Sequence, residues 1–160
     1  MRLVAVSDTH GKTERFRRVC EMQPSADLFL HLGDGNREVD IIRGMFPEKT
    51  FVAVRGNCDY SADPADRVLE LMGVRVMLTH GHIYRVKTGL DRLIAEAKRQ
   101  EVQAVFFGHT HIPLCGYRGG LLVVNPGSAE RPRFGAKFAI ADIEDGAIEA
   151  RLVDIADWQR

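Results

Sequence analysis

Short apolar runs recur along the first two thirds of the chain. Residues 2–7, 28–32 and 51–54 are each bounded by polar or glycine-rich segments and read as buried strands. Between the first two, Phe16, Val19 and Cys20 stand at helical spacing, and between the second and third so do Val39, Ile42, Met45 and Phe46. Strand, helix, strand, helix, strand at this spacing predicts crossover units and parallel pairing covered by helices. A fourth apolar run spans 74–78. A helix over 89–100 follows, with Leu90, Leu93, Ile94 and Ala97 as its stripe and Thr88 with Asp91 as a capping box. Residues 104–107 read as another buried strand. Helical periodicity then stops: 121–124, 137–143 and 147–155 are strand-like, and Glu144-Asp145-Gly146 signals a hairpin between the last two. The pattern predicts an α/β layered domain, mostly antiparallel in its last third, with two sheets packed face to face and helices outside.

Composition narrows the class. The 160 residues suit one domain, 1–160, without repeats or linkers. Hydrophobic residues make up 45% and charged residues 28%, which argues against a disordered or fibrous chain. Lys plus Arg and Asp plus Glu both total 22, so the formal net charge is zero. The overall positive field of a general nucleic-acid or membrane-surface binder is lacking. No apolar run approaches the roughly 20 residues of a membrane span. Residues 1–8 lead straight into a strand, without a signal-peptide pattern. Three cysteines, Cys20, Cys58 and Cys115, form no CxxC pair, which fits free thiols in a reducing cytoplasm. Cys20 and Cys115 are expected as small buried apolar residues. The expected location is cytoplasmic.

Candidate chemistry collects at strand ends. Of six histidines, His10, His80, His82, His109 and His111 follow an apolar strand, and His31 lies inside one, where a hydrogen-bonded sheet histidine is expected. The first strand ends in Asp8-Thr9-His10-Gly11, the second in Gly33-Asp34-Gly35, and the third in Gly56-Asn57-Cys58-Asp59. The fourth ends in His80-Gly81-His82 and the fifth in Gly108-His109-Thr110-His111. Ligands of α/β sheets bind outside the carboxyl ends of strands. On an extended segment, residues two apart point the same way, so Asp8 with His10, and His109 with His111, are each expected to put two ligands on one face. One such cluster is weak evidence, because turns are full of Asp, Asn and Gly. Five together are costly unless paired with metal. Asp8, His10, Asp34, Asn57, His80, His109 and His111 exceed one tetrahedral or octahedral site that must also admit water, so they suit two metals sharing a carboxylate. Oxygen and imidazole donors without thiolate favour Mn²⁺, Fe²⁺, Ni²⁺, Co²⁺ or Zn²⁺ over Mg²⁺ or Ca²⁺.

These clusters, in this order from Asp8 through His111, resemble the calcineurin-like metallophosphoesterase superfamily. The Gly56-Asn57-Cys58-Asp59 segment, the absence of a cap domain and Asn125-Pro126-Gly127-Ser128 resemble its small YfcE-like phosphodiesterase branch. The resemblance implies a four-layer α/β/β/α sandwich of two mixed β-sheets flanked by helices. It implies two divalent ions, Mn²⁺ first: one on Asp8, His10 and His111, the second on Asn57, His80 and His109, with Asp34 bridging. His82 has no liganding place in the pattern and is expected to contact substrate or to make a structural hydrogen bond. Many members carry His where this chain has Cys58. A thiol replaces imidazolium poorly beside a developing oxyanion, which disfavours monoesters and favours diesters.

The implied activity is phosphodiester hydrolysis by direct attack of a metal-bridging hydroxide on phosphorus, with Asp34, Asn57 and His82 as catalytic residues and a small phosphodiester as substrate. Segment 117–137 carries Arg118, Arg131, Arg133 and Lys137 against only Glu130; at the metal rim these would hold a phosphate, and otherwise they form a solvated loop. No membrane partner is expected, zero charge argues against long nucleic acid while leaving it open, and a homo-oligomer is left open. Two rivals stand: a non-catalytic protein-binding scaffold on the same fold, resembling the retromer subunit of eukaryotes, and a metal hydrolase acting at carbon. The intact ligand set argues against the first. The order of the motifs, Asp-x-His first and His-x-His last, argues against the second.

Overall fold

The first three apolar runs pair in parallel, as their spacing predicts. In the computed structural model, which describes residues 1–155, β1 (Arg2–Val6) is followed by α1 (Glu14–Met22), β2 (Leu28–His31), α2 (Asn36–Met45) and β3 (Phe51–Ala53). The chain then crosses to a second sheet. There β4 (Asp66–Leu71) and β5 (Val74–Thr79) form a hairpin, α3 (Asp91–Arg99) leads to β6 (Ala104–Phe106), and β7 (Leu114–Arg118) and β8 (Leu121–Asn125) form another hairpin. Finally β9 (Lys137–Glu144) and β10 (Ala147–Asp154) return to the first sheet. The sheet orders are β10-β9-β1-β2-β3 and β4-β5-β6-β8-β7. Both are mixed: β1, β2 and β3 are mutually parallel, with the antiparallel pair β9 and β10 on one side, and β5, β6 and β8 are parallel, with antiparallel β4 and β7 on either side. Asp145 and Gly146 both take positive φ, 49° and 76°, as the expected tight hairpin turn requires.

Alternation along the strands sorts side chains into three apolar layers. Leu3, Leu30, Val76 and Phe106 belong to the layer between the sheets. Val4, Phe29 and Ile140 face outward and pack on Phe16, Val19 and Cys20 of α1 and Val39 and Ile42 of α2. Met77, Val105 and Val123 pack on Leu93 and Ala97 of α3. Each large side chain so buried contributes roughly 1.5–3 kcal/mol. The result is an α/β/β/α sandwich that carries the carboxyl ends of β1, β2, β3, β5 and β6 to one rim.

Several local expectations are corrected. The edge strands β4 and β7 do not stand out in the apolar pattern, because only part of each is buried and polar or glycine positions interrupt it. Thr88 is not a helix cap: its hydroxyl donates to the Arg85 carbonyl at 2.9 Å, and α3 starts after Leu90 without a side-chain cap. Met45 sits at the helix end and is 51% exposed rather than packed. Cys20 is buried as expected; Cys115 is only half-buried, its thiol donating to the Ala150 carbonyl. Among the described residues, no helix is long and apolar enough to cross a membrane.

Candidate metal centre

The loops at these strand ends are held to one another by backbone bonds. Asp8 N–H donates to the Gly33 carbonyl at 3.1 Å, His10 N–H to Asp34 at 3.0 Å, and Gly108 N–H to His80 at 3.2 Å. The expectation that Asp8 and His10, and likewise His109 and His111, lie on extended backbone is corrected. All four, and Asp34, take left-handed backbone angles, with φ of 56°, 46°, 67°, 58° and 56° respectively. Each such non-glycine residue costs of order 1 kcal/mol or more, and such strain concentrates at functional sites. The sharp turns bring the side chains together.

All seven residues converge. His111 Nε2 lies 3.1 Å from Asp8 Oδ1 and 3.2 Å from His10 Nε2. On the other side, His80 Nε2 lies 3.1 Å from Asn57 Oδ1, 3.1 Å from His109 Nδ1 and 3.4 Å from Asp34 Oδ2. Asp34 Oδ2 is also 4.0 Å from His10 Nε2, so one carboxylate faces both halves. Two groups with spacing suited to a cation share this space: Asp8, His10 and His111, and Asp34, His80 and His109. A third group comprises His10, Asp34 and Cys58.

The donor chemistry fits a cation. His80 Nδ1 donates to the Leu32 carbonyl at 2.7 Å, so a neutral His80 ring presents a bare Nε2 lone pair. That lone pair meets Asn57 Oδ1 and Asp34 Oδ2, both acceptors. Asp8 Oδ1 is likewise fully buried with no hydrogen-bond donor aligned on it. Such a convergence of acceptors needs protons or metal ions at its centre.

A proton can take the central place instead: burial lowers the His80 pKa, but the Asp34 hydrogen bond and the charges of Asp8 and Asp34 outweigh it and raise it, so a protonated His80 stands among these acceptors as a cation would. Burial pushes the Asp34 carboxyl upward, but the hydrogen bond and charge of His80 and the Cys58 N–H outweigh it and hold the group well below the usual carboxylate range. Burial is likewise outweighed at Asp8, by His111, His80 and the Ser7 hydroxyl. Burial and the charge of His80 hold His109 down to about 4.

A surrounding frame aims these groups. Asp59 stands at the centre of it, although sequence reasoning assigned it no role beyond its motif. Its carboxylate accepts four backbone N–H bonds: Asp34 at 2.7 Å, Gly35 at 2.8 Å, Asn36 at 3.0 Å and Gly56 at 2.8 Å. It thereby caps α2 from a neighbouring loop and fixes the turn that carries Asn57. In return, Cys58 N–H donates to Asp34 Oδ1 at 2.8 Å, leaving Oδ2 to face the imidazoles. Ser7 Oγ and His109 N–H both donate to Asp8 Oδ2, at 2.5 and 3.1 Å. The Asn125-Pro126-Gly127-Ser128 segment also belongs to the frame: Asn125 Nδ2 donates to Gly108 O, and Ser128 Oγ to Asp8 O. A Cβ at Gly108 would lie 2.0 Å from Ser7 Oγ, so only glycine admits this approach.

The other singled-out residues take varied places. His82 starts a 3₁₀ turn beside the cluster, its ring centred 5.5 Å from that of His80, and its Nδ1 is buried without a partner. Cys58 is exposed. His31 is buried and its Nε2 meets Thr9 Oγ1 at 3.1 Å, while its Nδ1 stays unpartnered, so the expected sheet histidine is only half satisfied. Arg131 reaches the site, Arg118 lies on β7, and Lys137 pairs with Asp154.

Acceptor side chains gathered at the strand ends of a two-sheet α/β sandwich define a candidate divalent-metal centre. The chain belongs to the calcineurin-like phosphoesterase superfamily, whose domain model matches residues 1–146. It is similar to YsnB of Bacillus subtilis (strain 168), named a probable metallophosphoesterase, with 31% identity over 98% of this chain and 92% of that one. It is also similar to phosphodiesterase YfcE of Escherichia coli (strain K12), with 33% identity over 84% of this chain and 83% of that one. Among solved structures, a Streptococcus pneumoniae protein described as a predicted phosphoesterase superposes with a TM-score of 0.83 at 26% identity, covering 96% of this chain and 89% of that one. Vps29 of Entamoeba histolytica, at a TM-score of 0.75 and 20% identity over 96% and 99%, shares the fold. The superfamily implies divalent metal ions at this centre.

Proposed function

We propose that this chain, acting as one domain, is a phosphodiesterase that hydrolyses a small phosphodiester with two divalent cations, Mn²⁺ foremost among Mn²⁺, Ni²⁺, Fe²⁺, Co²⁺ and Zn²⁺. The observation that supports it most is Asp34 Oδ2, placed between His80 at 3.4 Å and His10 at 4.0 Å. On this reading Asp8, His10 and His111 hold one ion, Asn57, His80 and His109 the other, and Asp34 touches both. When bound, such a pair acidifies a water to serve as nucleophile and neutralises charge on the phosphoryl oxygens.

The chain's own residues do the rest. Left-handed backbone and the Asp59 frame keep Asp34 and Asn57 in place without reorganisation as charge develops, which is where electrostatic catalysis gains most. His82, beside His80, contacts the substrate from the open side. Cys58 offers a weak donor in place of an imidazolium, so leaving groups that need little protonation react best, and diesters with acidic leaving groups are favoured over alkyl monoesters. Asp34→Ala is expected to abolish Mn²⁺-dependent hydrolysis of bis(p-nitrophenyl) phosphate while the far-ultraviolet circular dichroism stays unchanged; full activity in this variant overturns the reading. The alternative is a protein-binding scaffold, since Vps29 shares the fold. A scaffold needs no gathered acceptors, and a stable protein partner captured without bound metal would favour it.

A further inference from the structure

A cleft of about 600 Å³ opens beside the cluster, bounded by His10, Asp34 and Cys58 and extending along the first turn of α2. That volume lies within the range that holds whole ligands, and a phosphate group alone leaves most of it empty. The carboxylates on its walls are all committed. Asp59 is saturated by four backbone N–H groups. Glu38 is buried and accepts the Thr9 hydroxyl at 3.3 Å. Asp40 pairs with Arg43 at 2.8 Å.

Two arginines on the same walls are not committed. Among the described residues, the guanidinium groups of Arg37 and Arg131 form neither a hydrogen bond nor an ion pair, and both side chains are exposed. Many arginines away from the cleft are paired, as in Arg2 with Asp142, Arg67 with Asp63, and Arg75 with Glu70, so what marks Arg37 and Arg131 is their place together on the cleft wall. Arg131 is anchored at its base, its N–H donating to Ser128 Oγ at 2.8 Å, and Ser128 in turn bonds the Asp8 carbonyl. Its exposed side chain lines the same cleft as His10, one of the clustered imidazoles. The cleft therefore offers two unmatched cations beyond the space where the scissile phosphate would sit. Arg guanidinium matches phosphate geometry with paired hydrogen bonds.

We propose that Arg37 and Arg131 bind a second anionic group of the substrate, and that the preferred substrates are short phosphodiesters carrying a further phosphate on their organic arm. This rests on the phosphodiesterase reading above. A matched pair of substrates tests it: thymidylyl-thymidine with and without a 5′-terminal phosphate, with bis(p-nitrophenyl) phosphate as a reference lacking the second anion. The KM for the phosphorylated dinucleotide is expected to be about tenfold lower than for its partner, from one charge-assisted phosphate contact. Arg37→Gln and Arg131→Gln are expected to erase that gap by raising KM for the phosphorylated dinucleotide alone, with kcat changed by less than about threefold. The same contrast is expected in calorimetric affinities of the phosphorothioate-linked dinucleotides for the Mn²⁺-loaded protein, which does not depend on turnover. Equal affinities for the two dinucleotides, or equal losses for both in the variants, overturn the proposal. A protein that binds them unequally yet hydrolyses neither them nor the reference diester leaves the subsite standing and refutes the phosphodiesterase reading.

Discussion

Replacing Asp59 with Asn tests how the Asn57 turn is held. The substitution preserves shape and removes charge. In the native structure each carboxylate oxygen accepts two N–H groups: Oδ1 from Gly35 and Asn36, Oδ2 from Asp34 and Gly56. An asparagine can present one oxygen only, so its NH₂ must face two donors. Hydrogen bonds to a charged group contribute about 1.5–3 kcal/mol each, and two are lost outright while two are weakened. Asp59 is half-buried, so water recovers part of this, and a net loss of about 3–4 kcal/mol is expected. In a domain of this size that lowers Tm by roughly 10 °C, since 1 kcal/mol corresponds to about 2–4 °C. Urea unfolding of the metal-free protein measures it, as a lower midpoint at unchanged slope. Manganese affinity is expected to fall as well, because the turn carrying Asn57 and the bond from Cys58 N–H to Asp34 are released together. A loss below about 1 kcal/mol with unaltered manganese affinity would refute the idea that Asp59 positions the site.

Other outcomes follow from single groups. Cys58→His is expected to raise the ratio of monoester to diester turnover, measured with p-nitrophenyl phosphate and its diester, by restoring a proton donor beside the leaving oxygen; an unchanged ratio means Cys58 lies off the reaction path. Burial holds His31 down to about 4. An unfolded chain takes up this proton below about 6.5 while the native one does not, so the contribution is full above about pH 6.5 and is lost as pH falls toward 4. Between about pH 7.5 and pH 5, wild type should therefore lose about 2 kcal/mol more stability in urea than His31→Gln, and equal losses contradict a neutral buried ring.

Much of the architecture could be read along the chain because its signals are local. The runs that became β1, β2, β5 and β6 are mostly apolar, with Arg2, His31 and Arg75 among the few polar positions, as strands covered on both faces require, and Phe16, Val19 and Cys20 declared a helix by spacing alone. Edge strands β4 and β7 escaped because half their surface meets solvent and their patterns are diluted. The candidate site was legible as a list of side chains, since each sits just past a strand, but not as a geometry. Left-handed φ at Asp8, His10, Asp34, His109 and His111 is paid for by long-range bonds such as Ser128 Oγ to Asp8 O, which no local pattern reveals. Asp59 was overlooked for the same reason: its partners are backbone amides up to 25 residues away, and an aspartate in a turn gives no sign of them.

The central claim is that seven side chains from five strand ends form one cage for a pair of cations. Manganese titration of the chelator-treated protein, followed by calorimetry and elemental analysis, tests it most directly. The account predicts two equivalents per chain, falling to one or none in Asp34→Ala, with hydrolysis lost on chelation and regained on adding metal. Phosphoester hydrolysis that survives complete removal of metal, or a stoichiometry that Asp34→Ala leaves unchanged, would contradict it.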